Sequence, residues 1–313
     1  MPVSGQQASS PGIPFTRYLA SKKPIDDRAL NAHVWDEFAR AVASFDKPRI
    51  LEPGCGIGTM LERMIERQAL TSAEYLGIDL ARESIEQAPQ RLAKLAVVQG
   101  HDVVSAADGG SLHITGSGTS IEARFMQADV FEMAGERESQ GTWHLIMAHA
   151  FLDLVDIPSA LQSLLPLLRP GGLFYFTLVF DGLTVLEPEL DSALDSQIMQ
   201  LYHRTMDERM RGGIPSGDSR AGRHLFGHLR QAGAELLEAG GSDWVIFPRA
   251  AAYSKQEIDF LGHILQTIEA ALAGHPELDP KLFTAWIAAR RNQLNDRELT
   301  FVAHQLDFLG RVR

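Results

Sequence analysis

Glycines at 54, 56 and 58, with Glu52 two residues before the first, carry the clearest chemistry in this chain. A short apolar run at Arg49-Ile50-Leu51 reads as a buried strand, and a helix is predicted from Thr59 to about Gln68. Glycine lets the backbone approach a ligand closely, because no β-carbon occupies the ligand's space. The helix start behind the turn leaves free backbone N–H groups facing the same spot. A dinucleotide fingerprint wants Gly-x-Gly-x-x-Gly/Ala. Here the third glycine comes one residue early, and Thr59 holds the place of the last Gly or Ala. Glu52 would repel a pyrophosphate and suits a ligand carrying positive charge.

Further acids stand where strands are expected to end. Glu74–Leu80 reads as a second strand with Asp79 at its close, and an acid there can accept from both ribose hydroxyls. Phe125–Val130 reads as a third strand ending in Asp129, His144–Asp153 as a fourth, and Arg169–Phe180 as a turn into a fifth. Pro170-Gly171 is type II turn chemistry. Strands alternating with helices give an α/β fold with a mostly parallel sheet.

Glu52-x-Gly54-x-Gly56-x-Gly58 after a strand resembles motif I of the class I S-adenosylmethionine (SAM)-dependent methyltransferases, and the later landmarks follow in that family's order. The resemblance is good over about 48–180 and loose over 219–247 and at the C-terminus. Its spacing is that of the broad ubiquinone/menaquinone-biosynthesis type, without implying a quinone precursor as substrate. It implies a Rossmann-like sheet of seven strands, helices on both faces, the last strand inserted antiparallel, and a helical cap. It further implies SAM as cofactor, held by Glu52, Gly54, Gly56, Asp79 with Leu80, Asp129 with Val130, and His149. In the family, the residue at Asp129 accepts from the adenine amino group. The residue at His149 lines the methionine portion, often through its carbonyl.

Methyl transfer from a sulfonium is an in-line displacement, and holding donor and acceptor in alignment is worth roughly 7–11 kcal/mol. A general base is optional, so the catalytic candidates rest on position. His149 and Asp153 follow the fourth strand. His203 shares a helix face with Asp207, as an Asp-oriented base or as an exposed pair without a role. Arg220 and Arg223 could clamp an acidic group on the acceptor, with Asp218 as N-cap, while Tyr202 and Trp244 form an aromatic wall or join the core. His224 and His228 have ligand spacing but no third partner, so no metal is assigned.

Around these residues the chain organises as a disordered lead-in over 1–13 and one domain over 14–313. A helix is predicted over Asp26 to about Ser44, with Phe15 and Tyr18 upstream as lid or core residues. A hairpin decorates the sheet over about 100–124, and cap insertions fall at about 181–218 and 250–297. The 219–231 helix feeds a sixth strand (Ala234–Phe247), and Leu299–Leu309 reads as a seventh.

The 313 residues carry a net charge of -11, which argues against nucleic acid as a partner and suits a small or basic acceptor. One cysteine, Cys55, excludes an internal disulfide framework and reads as a small buried residue. No apolar run has the length of a membrane span and no secretory signal is seen, so a cytoplasmic location is expected. The favoured reading is a methyltransferase acting on oxygen or carbon of a small molecule. An NAD-dependent oxidoreductase, a non-catalytic nucleoside-binding relative and a protein methyltransferase are the rivals. Oligomeric state is not encoded in these patterns.

Overall fold

Alternation of apolar residues builds the central sheet and sets its two faces. In Arg49–Pro53 (β1), Ile50 and Leu51 are both fully buried but face opposite helix layers. Two consecutive buried residues of this kind mark a strand covered on both sides. The computed structural model describes residues 14–135 and 140–313, so the lead-in expected over 1–13 lies outside the described residues.

Helices α1 (Phe15–Ala29) and α2 (Ala32–Val42) come first, then β1, α3 (Thr59–Glu66), β2 (Ser72–Asp79) and α4 (Arg82–Val98). Three strands follow, β3 (Asp102–Ser105), β4 (Ser111–Gly116) and β5 (Thr119–Gln127). The chain continues through α5 (Val130–Ala134), β6 (Trp143–His149), α6 (Ile157–Leu164) and the long β7 (Leu168–Glu187). After α7 (Ser192–Asp207) come the short β8 (Met210–Arg211) and β9 (Ile214–Pro215), α8 (Ala221–Gln231), β10 (Glu235–Gly241) and β11 (Trp244–Ile246). Helices α9 (Lys255–Leu272) and α10 (Pro280–Asn295) precede β12 (Thr300–Arg311).

The strand order is β10-β12-β7-β6-β1-β2-β5-β4-β3, with β11 also paired to β12. Strands β7, β6, β1, β2 and β5 run parallel, and β12 is antiparallel to both β7 and β10. The Rossmann-like sheet with its last strand inserted antiparallel is therefore present, but it has ten strands, not seven. The difference is β3 and β4 at one edge and the break of the expected sixth strand into β10 and β11. Helices α2, α3 and α4 cover one face, and α5, α6 and α8 the other. A third apolar cluster joins α7, α9 and α10 to the far ends of β7 and β12, forming the helical cap. No helix among the described residues is long and apolar enough to cross a membrane.

Four boundaries differ from expectation, among them the fourth strand, which ends at His149 and not at Asp153. The single helix over 26–44 is two, because Leu30 is extended and the Asn31 side chain caps α2 by accepting from the Val34 N–H at 3.0 Å. The third strand stops at Gln127, and Asp129 is the N-cap of α5. The fifth strand runs on to Glu187, so residues 181–187 belong to the sheet and the cap begins beyond them. Asp181 and Gly182 (φ 74°) hide that continuation by interrupting its apolar pattern.

Candidate functional site

The glycine turn has a steric reason at each position that matters. Gly54 has φ 67°, and a Cβ there would stand 2.5 Å from Phe151 Cδ2. Gly58, at φ 80°, is the left-handed residue that opens α3. The turn is pinned to the neighbouring strand end, with Cys55 N–H donating to the Ile78 carbonyl at 3.1 Å. Cys55 is buried, and burial beside Glu52 and Asp79 pushes its thiol well up, which fits a structural residue.

Asp79 closes β2 and reaches across to the turn, accepting from Gly56 N–H at 2.9 Å and Ala81 N–H at 2.8 Å. Leu80 beside it is 43% exposed. Asp129 accepts from Phe131 N–H at 2.9 Å, and its second oxygen pairs with Arg211 of β8 at 3.1 Å. Val130, next to it, is buried at the start of α5. Since β1, β2 and β5 are neighbours and parallel, Glu52, Asp79 and Asp129 stand at one edge of the sheet, at the carboxyl ends of its strands.

Glu52 behaves differently from the ready anion its type suggests. It is 1% exposed and accepts from the Tyr75 hydroxyl at 2.7 Å. Burial pushes its carboxyl up to about 8; Tyr75 and Arg63 oppose this, while Asp79 adds to it. A value near 8 favours the protonated form at neutral pH, and a positive charge placed beside the group would favour the ionised one.

His149 ends β6 inside a polar knot that sequence spacing gave no means of finding. Its Nδ1 contacts Thr177 Oγ1 at 2.6 Å, and its Nε2 lies 3.1 Å from Asp26 Oδ2 and 3.2 Å from Arg63 Nη1. Asp26 also accepts from Lys22 Nζ at 2.7 Å and Trp244 Nε1 at 2.9 Å, and Arg63 bonds Asp27 as well. Burial raises the Asp26 carboxyl, but Lys22, His149 and Arg63 outweigh that and hold it well below the usual range. Burial first and Arg63 second bring the His149 imidazole down to about 4, against the pull of Asp26. Both ring nitrogens are thus engaged on a neutral imidazole. Only the Lys22–Asp26 spacing of four was a visible hint.

Asp153 lies on a 3-10 turn (Leu152–Leu154) just beyond that edge. Its Oδ1 is buried with no hydrogen-bond partner among the described residues. Burial raises its carboxyl, with Arg209 and Lys22 pulling the other way. The Tyr18 phenol is raised by burial and then by Asp26, Tyr202 and Asp153, and Tyr18 and Tyr202 pack against the same apolar cluster. Tyr18 also stacks on His263 at 3.9 Å, and burial pushes Tyr202 up to about 12. Trp244 packs edge-on against Phe260 while its N–H holds Asp26, so it serves core and knot together.

The expected His203–Asp207 pair does not form. His203 Nε2 lies 3.0 Å from Thr184 Oγ1, whereas Asp207 accepts from Ser219 N–H at 2.6 Å and Ser219 Oγ at 3.1 Å. A shared helix face brings two residues near each other, but each follows the nearer partner on another element. Arg223 is likewise held by Asp181 at 2.8 Å rather than free to clamp a ligand. Asp218 accepts from Arg220 N–H at 2.8 Å, so Arg220 takes the N-cap position of α8, and Asp218 also contacts His224 Nδ1 at 2.6 Å.

A parallel sheet with a glycine turn and acids clustered at adjacent strand ends is a Rossmann-like architecture, and ligands of such sheets bind at the carboxyl ends of the strands. The methyltransferase domain model matches residues 27–211, and the chain belongs to that family of SAM-dependent methyltransferases. The match is to the domain, not to the quinone-biosynthesis subgroup, and it sets aside the NAD-dependent reading. No curated protein matches the chain. Among solved structures, a SAM-dependent methyltransferase from Thiobacillus denitrificans in complex with S-adenosyl-L-homocysteine is 14% identical, covering 96% of this chain and 99% of that one at a TM-score of 0.48. A comparable enzyme from Geobacter sulfurreducens with the same ligand is 13% identical, covering 96% and 99% at a TM-score of 0.46. A putative methyltransferase from Bacillus halodurans is 11% identical, covering 88% and 98% at a TM-score of 0.48.

Proposed function

We propose that the enzyme methylates an oxygen or carbon nucleophile of a small molecule bound between α1, α7 and the turn at Leu152–Leu154. The residues at the sheet edge fit SAM by their donor set. Glu52 is a buried carboxyl that exchanges its proton for a neighbouring positive charge, and Asp79 retains acceptor capacity for ribose hydroxyls beside its two backbone donors. On this reading Gly54 and Gly56 line the methionine end, with the His149 backbone beside them. Leu80 and Val130 flank the adenine, and Asp129 accepts from its amino group. When bound, SAM supplies an activated methyl group on sulfur.

The observation that carries the acceptor assignment is the buried Asp153 Oδ1, which has no hydrogen-bond partner among the described residues and lies near enough to Tyr18 for its charge to act on that phenol. The ionised Asp153 carboxylate would take the proton of the acceptor hydroxyl or acidic carbon as the new bond forms and end as the carboxylic acid, and its raised affinity for a proton suits that role. On this reading His149 holds α1 against the sheet through Asp26 and acts as a positioning residue. His203, tied to Thr184, lines the cap.

The test is S-adenosyl-L-homocysteine release on incubation with SAM and a cell extract separated into small-molecule and protein fractions. Turnover is expected with the small-molecule fraction, and Asp153→Asn is expected to slow it about 10²–10⁴-fold while SAM still binds. Turnover confined to the protein fraction, or an Asp153→Asn enzyme of full activity, defeats the proposal.

A further inference from the structure

We propose that His33, Glu37 and Glu238 form a surface site for a first-row divalent metal ion of the zinc type, tying α2 to the edge strand β10. One ligand atom from each residue lies within 4.8 Å of the others. His33 and Glu37 are four apart on α2 and so project from the same side, one turn apart. Glu238 reaches them because β10 is bulged at this point. The register passes from Leu236↔Gly310 to Glu238↔Leu309, leaving Leu237 as the extra residue. A bulge re-aims the side chains around it. Leu237 packs into the core under α2, and Glu238 emerges beside it on the same face instead of the opposite one.

The spacing suits coordination as well as an ion pair. His33 Nε2 and Glu238 Oε2 are 3.3 Å apart. Two ligands held about 2.0–2.2 Å from a tetrahedral zinc stand about 3.3 Å from one another. Glu37, within 4.8 Å of the other two, completes a His-Glu-Glu set once its carboxylate turns from Arg40, and imidazole with carboxylates in such a set suits a first-row divalent ion such as zinc. An open depression of about 450 Å³, lined by Glu37, Arg40, Leu237 and Glu238 among others, lies beside two of the three residues. Arg40 pairs with Glu37 and is the competitor for the ion at this spot. The set shares no residue with the donor or acceptor sites.

The full chain, stripped with chelator and dialysed, is titrated calorimetrically with zinc chloride and followed with cobalt chloride by visible absorption. One equivalent of zinc is expected to bind, with a cobalt absorption band. His33→Ala and Glu238→Gln should each weaken binding by at least about tenfold, since even outer residues of metal sites cost about that much. Arg40→Ala should tighten binding by releasing Glu37. The His33 side chain is 66% exposed, so its loss is not expected to disturb folding, and circular dichroism checks this. Absence of saturable binding, or variants that bind as the parent does, overturns the site.

Discussion

If Glu52 meets the bound cofactor as proposed, its protonation makes SAM binding a proton-linked event whose size can be worked out. With the free carboxyl at about 8, roughly nine-tenths of molecules carry the proton at pH 7. If the bound sulfonium and ammonium keep Glu52 ionised, removing that proton costs about 1.4 kcal/mol at pH 7 and about 2.7 kcal/mol at pH 6. Affinity should therefore rise about tenfold between pH 6 and 7, keep rising toward pH 8 and level off above it. From pH 6 to 9 the gain is roughly 90-fold. The sign follows from linkage: the free state binds more protons than the bound state, so higher pH favours the complex. Calorimetry in buffers of different ionisation enthalpy should show about 0.9 proton released at pH 7. The ligand's own ammonium titrates too, so Glu52→Gln is the control; it shares that background and lacks the Glu52 component. Superimposable pH profiles for the two proteins would refute the reasoning.

Other consequences are as direct. Asp26→Ala leaves Lys22 and Arg63 without their buried anion and should cost about 3–5 kcal/mol in chemical denaturation, whereas a loss below about 1 kcal/mol would contradict the knot. Because the Asp26 carboxyl is held low, its contribution is complete above the unfolded carboxylate range and disappears as pH falls through the folded value; a stability–pH series should show this in the parent and not in Asp26→Ala. Gly54→Ala places a methyl 2.5 Å from Phe151 at positive φ and should weaken SAM binding more than it lowers the melting temperature. Gly310→Ala puts a Cβ 2.1 Å from Phe174 and 2.5 Å from the Glu235 carbonyl, so it should destabilise by about 1–3 kcal/mol or more and leave the SAM affinity of the folded fraction unchanged.

The parallel sheet and the glycine turn at its edge were legible because their signals are local. A glycine turn between a strand and a helix, and acids at strand ends, need only neighbouring residues to be recognised, so Glu52, Asp79 and Asp129 fall at one edge as expected. What depends on distant partners was not legible. His149 meets Asp26 across 123 positions and Arg63 across 86, and no periodicity records such meetings. The break at Leu30 was hidden because the apolar face of α2 keeps its phase through Leu30, Val34 and Phe38, while the cap on Asn31 takes its own N–H to Asp307 at 2.8 Å, far along the chain. Spacing put His203 and Asp207 on one face but not in contact, since Thr184 and Ser219 offer each a closer partner. Nor does residue type alone show that burial raises the Glu52 carboxyl, since that depends on what packs around it.

The account rests most heavily on where the adenosyl group sits, and a co-crystal structure with S-adenosyl-L-homocysteine measures that directly. It should show the ribose hydroxyls on Asp79, the amino-acid end beside the Gly54–Gly56 turn and Glu52, and the adenine between Leu80 and Val130 with its amino group at Asp129. A nucleoside bound away from the carboxyl ends of β1, β2 and β5, or a chain that does not retain it, would contradict the account.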